Sequence, residues 1–221
     1  FLQDPRNILI EETNRRLDVT STDLADGVDA LLISNGWSLS TAHDFRIRAD
    51  AHHEVVTESW SEVYLGIGYI DDPLNCDQSY LEIALGCDEH MPGYWYERGA
   101  GQTLLDAAWA GRYEADARLY ISYDADLDEL YLSVTGYGPD EALKTVPDIV
   151  RGEWGRATLN IGLGGYSEGV PLAPGQAWLD NFVIDQAVLC EDHPADLNQD
   201  CSVDLADLAM LAEHWLACTR D

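Results

Sequence analysis

"RLYISYDADLDELYLSVTG", Arg118 to Gly136, decides the fold. Leu119, Ile121 and Tyr123 recur at every second position and share one face; Leu130, Leu132 and Val134 share another. Side chains of a strand alternate between its two faces, so this period marks two half-buried strands. "DADLDE" between them is a turn, and the stretch reads as a β-hairpin.

The same period recurs on both sides of the hairpin. Phe45, Ile47, Ala49 and Ala51 alternate with Arg46, Arg48 and Asp50. Val63, Leu65 and Ile67 alternate with Tyr64 and Gly66, and Leu81, Ile83 and Leu85 with Glu82 and Ala84. Leu159, Ile161 and Leu163 mark a further strand, and "AWLDNFVID", Ala177 to Asp185, another. The N-terminal "NILIEETNRRLDVT", Asn7 to Thr20, is a strand segment that can add to a sheet of its own molecule or of a neighbour. Short strands separated by Gly, Pro, Asn and Asp, each with one face inward, predict an antiparallel β-sandwich.

Only the C-terminus changes period. Leu205, Leu208, Ala209, Ala212, Trp215 and Leu216 form one apolar stripe at helical spacing. The expected organisation is therefore a β-domain over residues 1–189 and a loop-helix module over 190–221, with a linker around Cys190 to Pro194. The strand spacing, the hairpin and the closing "AWLDNFVI" resemble concanavalin A-like jelly-roll modules over about residues 14 to 186. That family includes lectins, laminin-G-like domains and some glycoside hydrolases, and the resemblance implies a jelly-roll fold.

Before the stripe stands "DLNQDCSVDLAD", Asp196 to Asp207. An EF-hand-type loop takes oxygen ligands at positions 1, 3, 5, 7, 9 and 12. Here these are Asp196, Asn198, Asp200, Ser202 through its carbonyl, Asp204 and Asp207. All are hard oxygen donors, which suits Ca2+. "DLNQDCSVDLADLAMLAEHWL", with Asp at position 12 and a helix only afterwards, resembles a type I dockerin repeat. Dockerins use two repeats and this chain holds one; Cys201 also stands at position 6, where the turn favours Gly.

Composition narrows the partners. Of 221 residues, 41 are acidic and 12 are Lys or Arg, a formal charge of -29, which repels nucleic acid and anionic lipid. No apolar run is long enough for membrane insertion. The chain starts Phe-Leu-Gln without a basic-then-apolar leader, read as a processed, secreted form at or outside the cell surface. Five cysteines without a C-x-x-C pair point to disulfides rather than zinc. Cys76 is expected to pair with Cys87; Cys190 pairs with Cys201 or with Cys218.

Three motifs suggest catalysis and are discounted. "GYSEG", Gly165 to Gly169, matches G-x-S-x-G, but "VPLAPG" follows and cannot start a helix; a glycine-rich turn is expected. "HHEVV", His52 to Val56, lacks the second His of a zinc protease and reads as strand. "GIGYID" and "GLGGYSEG" lack the lysine of a phosphate loop. "GYWYERG" carries Tyr94, Trp95 and Tyr96, candidates for stacking on a sugar ring. The expectation is a non-enzymatic, calcium-binding structural protein that self-assembles as a homo-oligomer or polymer. The alternative is a lectin-like module that binds an extracellular glycan.

Overall fold

The computed structural model describes residues 2–3, 8–22, 28–34, 37–54, 60–72, 77–87, 93–97, 107–108, 115–168, 171–187 and 189–191. The calcium-loop positions Asp196, Asn198, Asp200, Ser202, Asp204 and Asp207, and the helical stripe from Leu205 to Leu216, lie outside them.

The strands run in chain order: β1 (Leu2–Gln3), β2 (Ile8–Thr13), β3 (Arg16–Ser21), β4 (Val28–Ile33), β5 (Trp37–Ser40), β6 (Phe45–His53), β7 (Trp60–Asp72) and β8 (Asp77–Cys87). Then follow β9 (Gly93–Glu97), β10 (Ala107–Ala108), β11 (Asp116–Asp124), β12 (Glu129–Ser133), β13 (Lys144–Pro147), β14 (Thr158–Glu168), β15 (Ala177–Gln186) and β16 (Leu189–Glu191). They build two antiparallel sheets. One has the order β13-β12-β11-β6-β15-β3-β2; the other runs β1-β4-β14-β7-β8-β9-β10, with β5 and β16 added beside β14. The N-terminal segment forms a hairpin, β2 on β3, in its own molecule's sheet, and Glu11 and Glu12 on the outer strand are exposed. Charged residues on an edge strand discourage edge-to-edge pairing. β16 extends the pairing to Glu191, into the segment expected as a linker.

The core fills the space between the sheets. Phe45, Ile47, Ala49 and Ala51 of β6 are buried, and each alternate residue is less so. Ile121 pairs with Leu132 and Tyr123 with Leu130, so the two apolar sets of the hairpin project into the same core, not onto separate faces. The turn between them is held by carboxylates. Asp124 Oδ1 accepts from the amides of Asp126 and Leu127, both at 3.0 Å. Asp128, buried and left-handed at φ 57°, accepts from the Tyr123 hydroxyl at 2.8 Å. The same carboxylate takes the amides of Arg151 (3.1 Å) and Gly152 (3.0 Å), inside a π-helical turn over Ile149–Trp154. Burial pushes the Tyr123 hydroxyl pKa well up, with the Asp128 bond adding to it.

Two expectations are corrected. In β7 and β8 the residues that alternate with the core are also covered: Glu62, Tyr64, Glu82 and Ala84 are 0–4% exposed. "GYSEG" is not a turn; Gly165 to Glu168 end β14, and Ser167 is fully buried opposite Ser61. Cys87 ends β8, and Cys76, its expected disulfide partner, lies outside the described residues.

Candidate functional site

Two stretches that resemble loop motifs in the sequence are neighbouring strands. Gly66 of "GIGYID" pairs with Gly162 of "GLGGYSEG", Gly68 with Asn160, and Tyr64 with Gly164. Leu65, Ile67, Ile161 and Leu163 alternate with them and point into or pack against the core. Period two therefore puts every one of these glycines on the outer face of the nine-stranded sheet. The result is a lane of bare backbone over which neighbouring side chains lean.

Side chains of adjacent strands wall the lane. Leu31 and Ile33 of β4 stand on one side, Tyr80 and Glu82 of β8 on the other, with Asn160 at one end. The cleft has a cavity volume of about 30 Å3, and its surface is mainly apolar. Across β4, β14, β7 and β8 it spans roughly 14 Å, at about 4.8 Å per strand. Glycines occupy it in different ways. A Cβ on Gly164 would come within 2.2 Å of the Tyr64 ring, so that ring fills the space. At Gly162 the intruding atom would be Leu31 Cδ1, at 2.7 Å. A Cβ on Gly66, itself a buried residue, meets nothing nearer than the Leu81 carbonyl oxygen at 3.4 Å and Glu82 Cβ at 3.5 Å, so it would make ordinary contacts there.

The polar groups are partly committed. The Tyr64 hydroxyl donates to the Ala30 carbonyl at 3.4 Å. Asn160 Nδ2 donates to the Ser34 carbonyl at 3.2 Å, which sets the amide and leaves its oxygen as an acceptor. Glu82 brings a carboxylate that is 3% exposed. Nearby, Arg156 lies 3.9 Å over the Tyr69 ring, which meets Trp154 edge-on.

Glu62 is the second buried carboxylate of this face. It pairs with Gly86, four residues along β8 from Glu82. That offset puts the two Cα atoms about 14 Å apart. The histidines of "HHEVV" are separated too. His53 faces the core, with Nε2 2.9 Å from Ser61 Oγ, while His52 faces outward, with Nδ1 2.7 Å from Asp116 Oδ1. Among the described residues no cluster of three His, Cys, Asp or Glu groups could hold a metal ion. None of their helices is long and apolar enough to cross a membrane.

The aromatic triplet is split by register. Tyr94 pairs with Ile83 and Tyr96 with Leu81, both core residues; Trp95 pairs with Glu82 of the cleft. Of the three sugar-stacking candidates, Trp95 is therefore the one whose strand position adjoins the lane. The lane itself was missed in the sequence, although glycine at every second position between aliphatic residues was its signal.

The outer face of the seven-stranded sheet is a different surface. Arg118 grips Asp50 through two bonds, the Nη2–Oδ2 one at 3.1 Å, and Asn181 Nδ2 donates to the same carboxylate at 2.9 Å. Arg118 holds the Asp50 carboxyl below the usual range, against the opposing effect of burial. Asp185 is lowered likewise by the Tyr137 hydroxyl, with Arg48 adding at 3.1 Å. These charges are satisfied by one another, so the face offers a ligand little that is free.

No family model matches the sequence, and no curated protein matches it. The fold has counterparts among solved structures. The carbohydrate recognition domain of Emp46p, in its potassium-bound form, superposes with a TM-score of 0.52 at 9% identity, covering 78% of this chain and 82% of that one. Lectin II from Ulex europaeus gives 0.51 at 11%, covering 84% and 96%. A proposed β-glucanase from Mycobacterium abscessus gives 0.51 at 12%, covering 81% and 78%. At such identities the likeness is one of fold: two antiparallel sheets in the concanavalin A-like arrangement of lectins and glucanases.

Proposed function

We propose that this chain is a carbohydrate-binding module that lays a glycan along the glycine lane of its nine-stranded sheet. The pairing of Gly66 with Gly162 carries the reading, because neither residue brings a side chain to the cleft lined by Leu31, Ile33, Tyr80 and Glu82. A sugar ring has an apolar C–H face that rests on such a floor and on aromatic rings. Its hydroxyls need an acceptor, which the Asn160 oxygen supplies. A glycan array and calorimetry with the hits test this: wild type binds a defined glycan, and Gly66→Val does not. An array with no saturable ligand sinks the proposal.

A second reading concerns the C-terminal segment. The spacing of Asp196, Asn198, Asp200, Ser202, Asp204 and Asp207 supports a Ca2+ loop that orders the residues after it. With a charge of -29 on each chain, self-association at a cell surface needs such a cation to offset repulsion. Light scattering with and without EDTA tests it; a particle size indifferent to calcium removes the assembly.

A further inference from the structure

The seven-stranded sheet splits near one edge. β3 and β15 pair only at Asp18–Trp178 and Leu17–Leu179. Past Leu179 the β15 strand bulges between Asp180 and Val183, while the chain of β3 has turned back through Asn14 and Arg15. A cavity of about 160 Å3 opens in the gap. It reaches the sandwich interior, since Leu163 of the opposite sheet lines it together with Leu17, Leu179 and Phe182. Two of its non-glycine lining residues are left-handed: Arg15 at φ 70° and Asn181 at 49°. Such conformations cost energy and cluster at ligand sites, where the surroundings hold them.

The rim has charge of both signs. Arg15 and Glu12 are exposed and make no ion pair or side-chain hydrogen bond among the described residues. Arg16 is committed: its Nε lies 2.8 Å from Asp18 Oδ1, and its guanidinium sits 5.0 Å over the Trp178 ring. Asp180 spends one oxygen on the Asn181 amide, at 2.6 Å. The mouth thus presents one guanidinium without a partner among the described residues, and the carboxylates of Glu12 and Asp180, around an apolar hole. An apolar cavity of about this size accepts a six-membered ring. A purely apolar ligand leaves the rim charges unmatched. A simple anion meets Arg15 but also two carboxylates, and a simple cation leaves Arg15 unmet. A zwitterion satisfies both signs.

We propose that this cavity binds a free α-amino acid with an apolar side chain. The carboxylate meets Arg15, the ammonium meets Glu12 and Asp180, and the side chain enters among Leu17, Leu163 and Phe182. The site is separate from the glycine lane and uses none of its residues.

Calorimetry on the whole chain compares L-phenylalanine, 3-phenylpropanoate and phenethylamine. Phenylalanine is expected to bind saturably, with each singly charged analogue about tenfold weaker, since each gives up one charge-assisted contact. Arg15→Gln weakens phenylalanine and 3-phenylpropanoate but not phenethylamine; Glu12→Gln weakens phenylalanine and phenethylamine but not 3-phenylpropanoate. Both positions are exposed, and an unchanged melting temperature checks the fold of each variant. Gly66→Val, which blocks the lane, leaves phenylalanine binding intact, so the two sites fail or stand independently. Absence of saturable phenylalanine binding, equal binding of the three probes, or indifference to both substitutions overturns the proposal.

Discussion

Gly66→Val separates the requirements of folding from those of binding. Glycine within a strand costs about 0.5–1 kcal/mol relative to alanine, because it gives up more backbone freedom on folding. Gly66 is not in the left-handed region, and its added Cβ finds ordinary contacts at 3.4 and 3.5 Å. The strand should therefore accept a β-branched residue and gain roughly 1 kcal/mol, or about 2–4 °C in melting temperature for a domain of this size. The valine methyls then stand in the floor of the cleft, where a ring would lie. Binding should fall by at least about tenfold, since a ligand must lose its contact with the floor or the valine must be pushed aside. Gly164→Ala is the paired control. Its Cβ would fall 2.2–2.5 Å from the Tyr64 ring, so one methyl group should cost about 1–3 kcal/mol by overpacking. Thermal melts and calorimetry on the two variants give opposite signs of stability on adjacent strands. Wild-type glycan affinity in Gly66→Val would refute the lane as the binding site. A marked loss of stability in that variant would show that the floor is needed for packing instead.

Asp128→Ala leaves the Tyr123 hydroxyl and the amides of Arg151 and Gly152 without their buried acceptor, so a loss of about 3 kcal/mol or more is expected in chemical denaturation; a change under about 1 kcal/mol would mean the π-helical turn is held by other contacts. Asp50 and Asp185 have lowered pKa values, so their contribution is complete above the unfolded value of about 3.9 and is lost as pH falls below it through the folded values. Melting temperature should therefore drop from pH 4 downward, and Asp50→Asn should flatten that drop; an unchanged acid limb in the variant contradicts the assignment. EDTA should lower the melting temperature if Asp196 to Asp207 hold Ca2+, and Asp200→Ala should remove the difference. Equal melts in EDTA and in millimolar calcium would leave the loop without a structural metal.

Much of the sandwich is legible in the chain because strand periodicity is local. The alternation in Phe45 to Ala51 and in Leu119 to Tyr123 names the buried face of each strand, and the structure buries those residues. The Asp-rich turn at Asp124 to Glu129 is equally local, since short side chains bond to amides two or three residues on. Other features depend on which strands are neighbours. Nothing within "GIGYID" or "GLGGYSEG" says that the two lie side by side, with Gly66 against Gly162. Nor does "GYWYERG" say that Trp95, rather than Tyr94 or Tyr96, stands beside Glu82. The split between β3 and β15 follows from a bulge in one strand meeting a turn in another. Alternation is set by the backbone of a single strand and survives in any context. Register, trough and cavity come from long-range pairing, which only the folded chain decides.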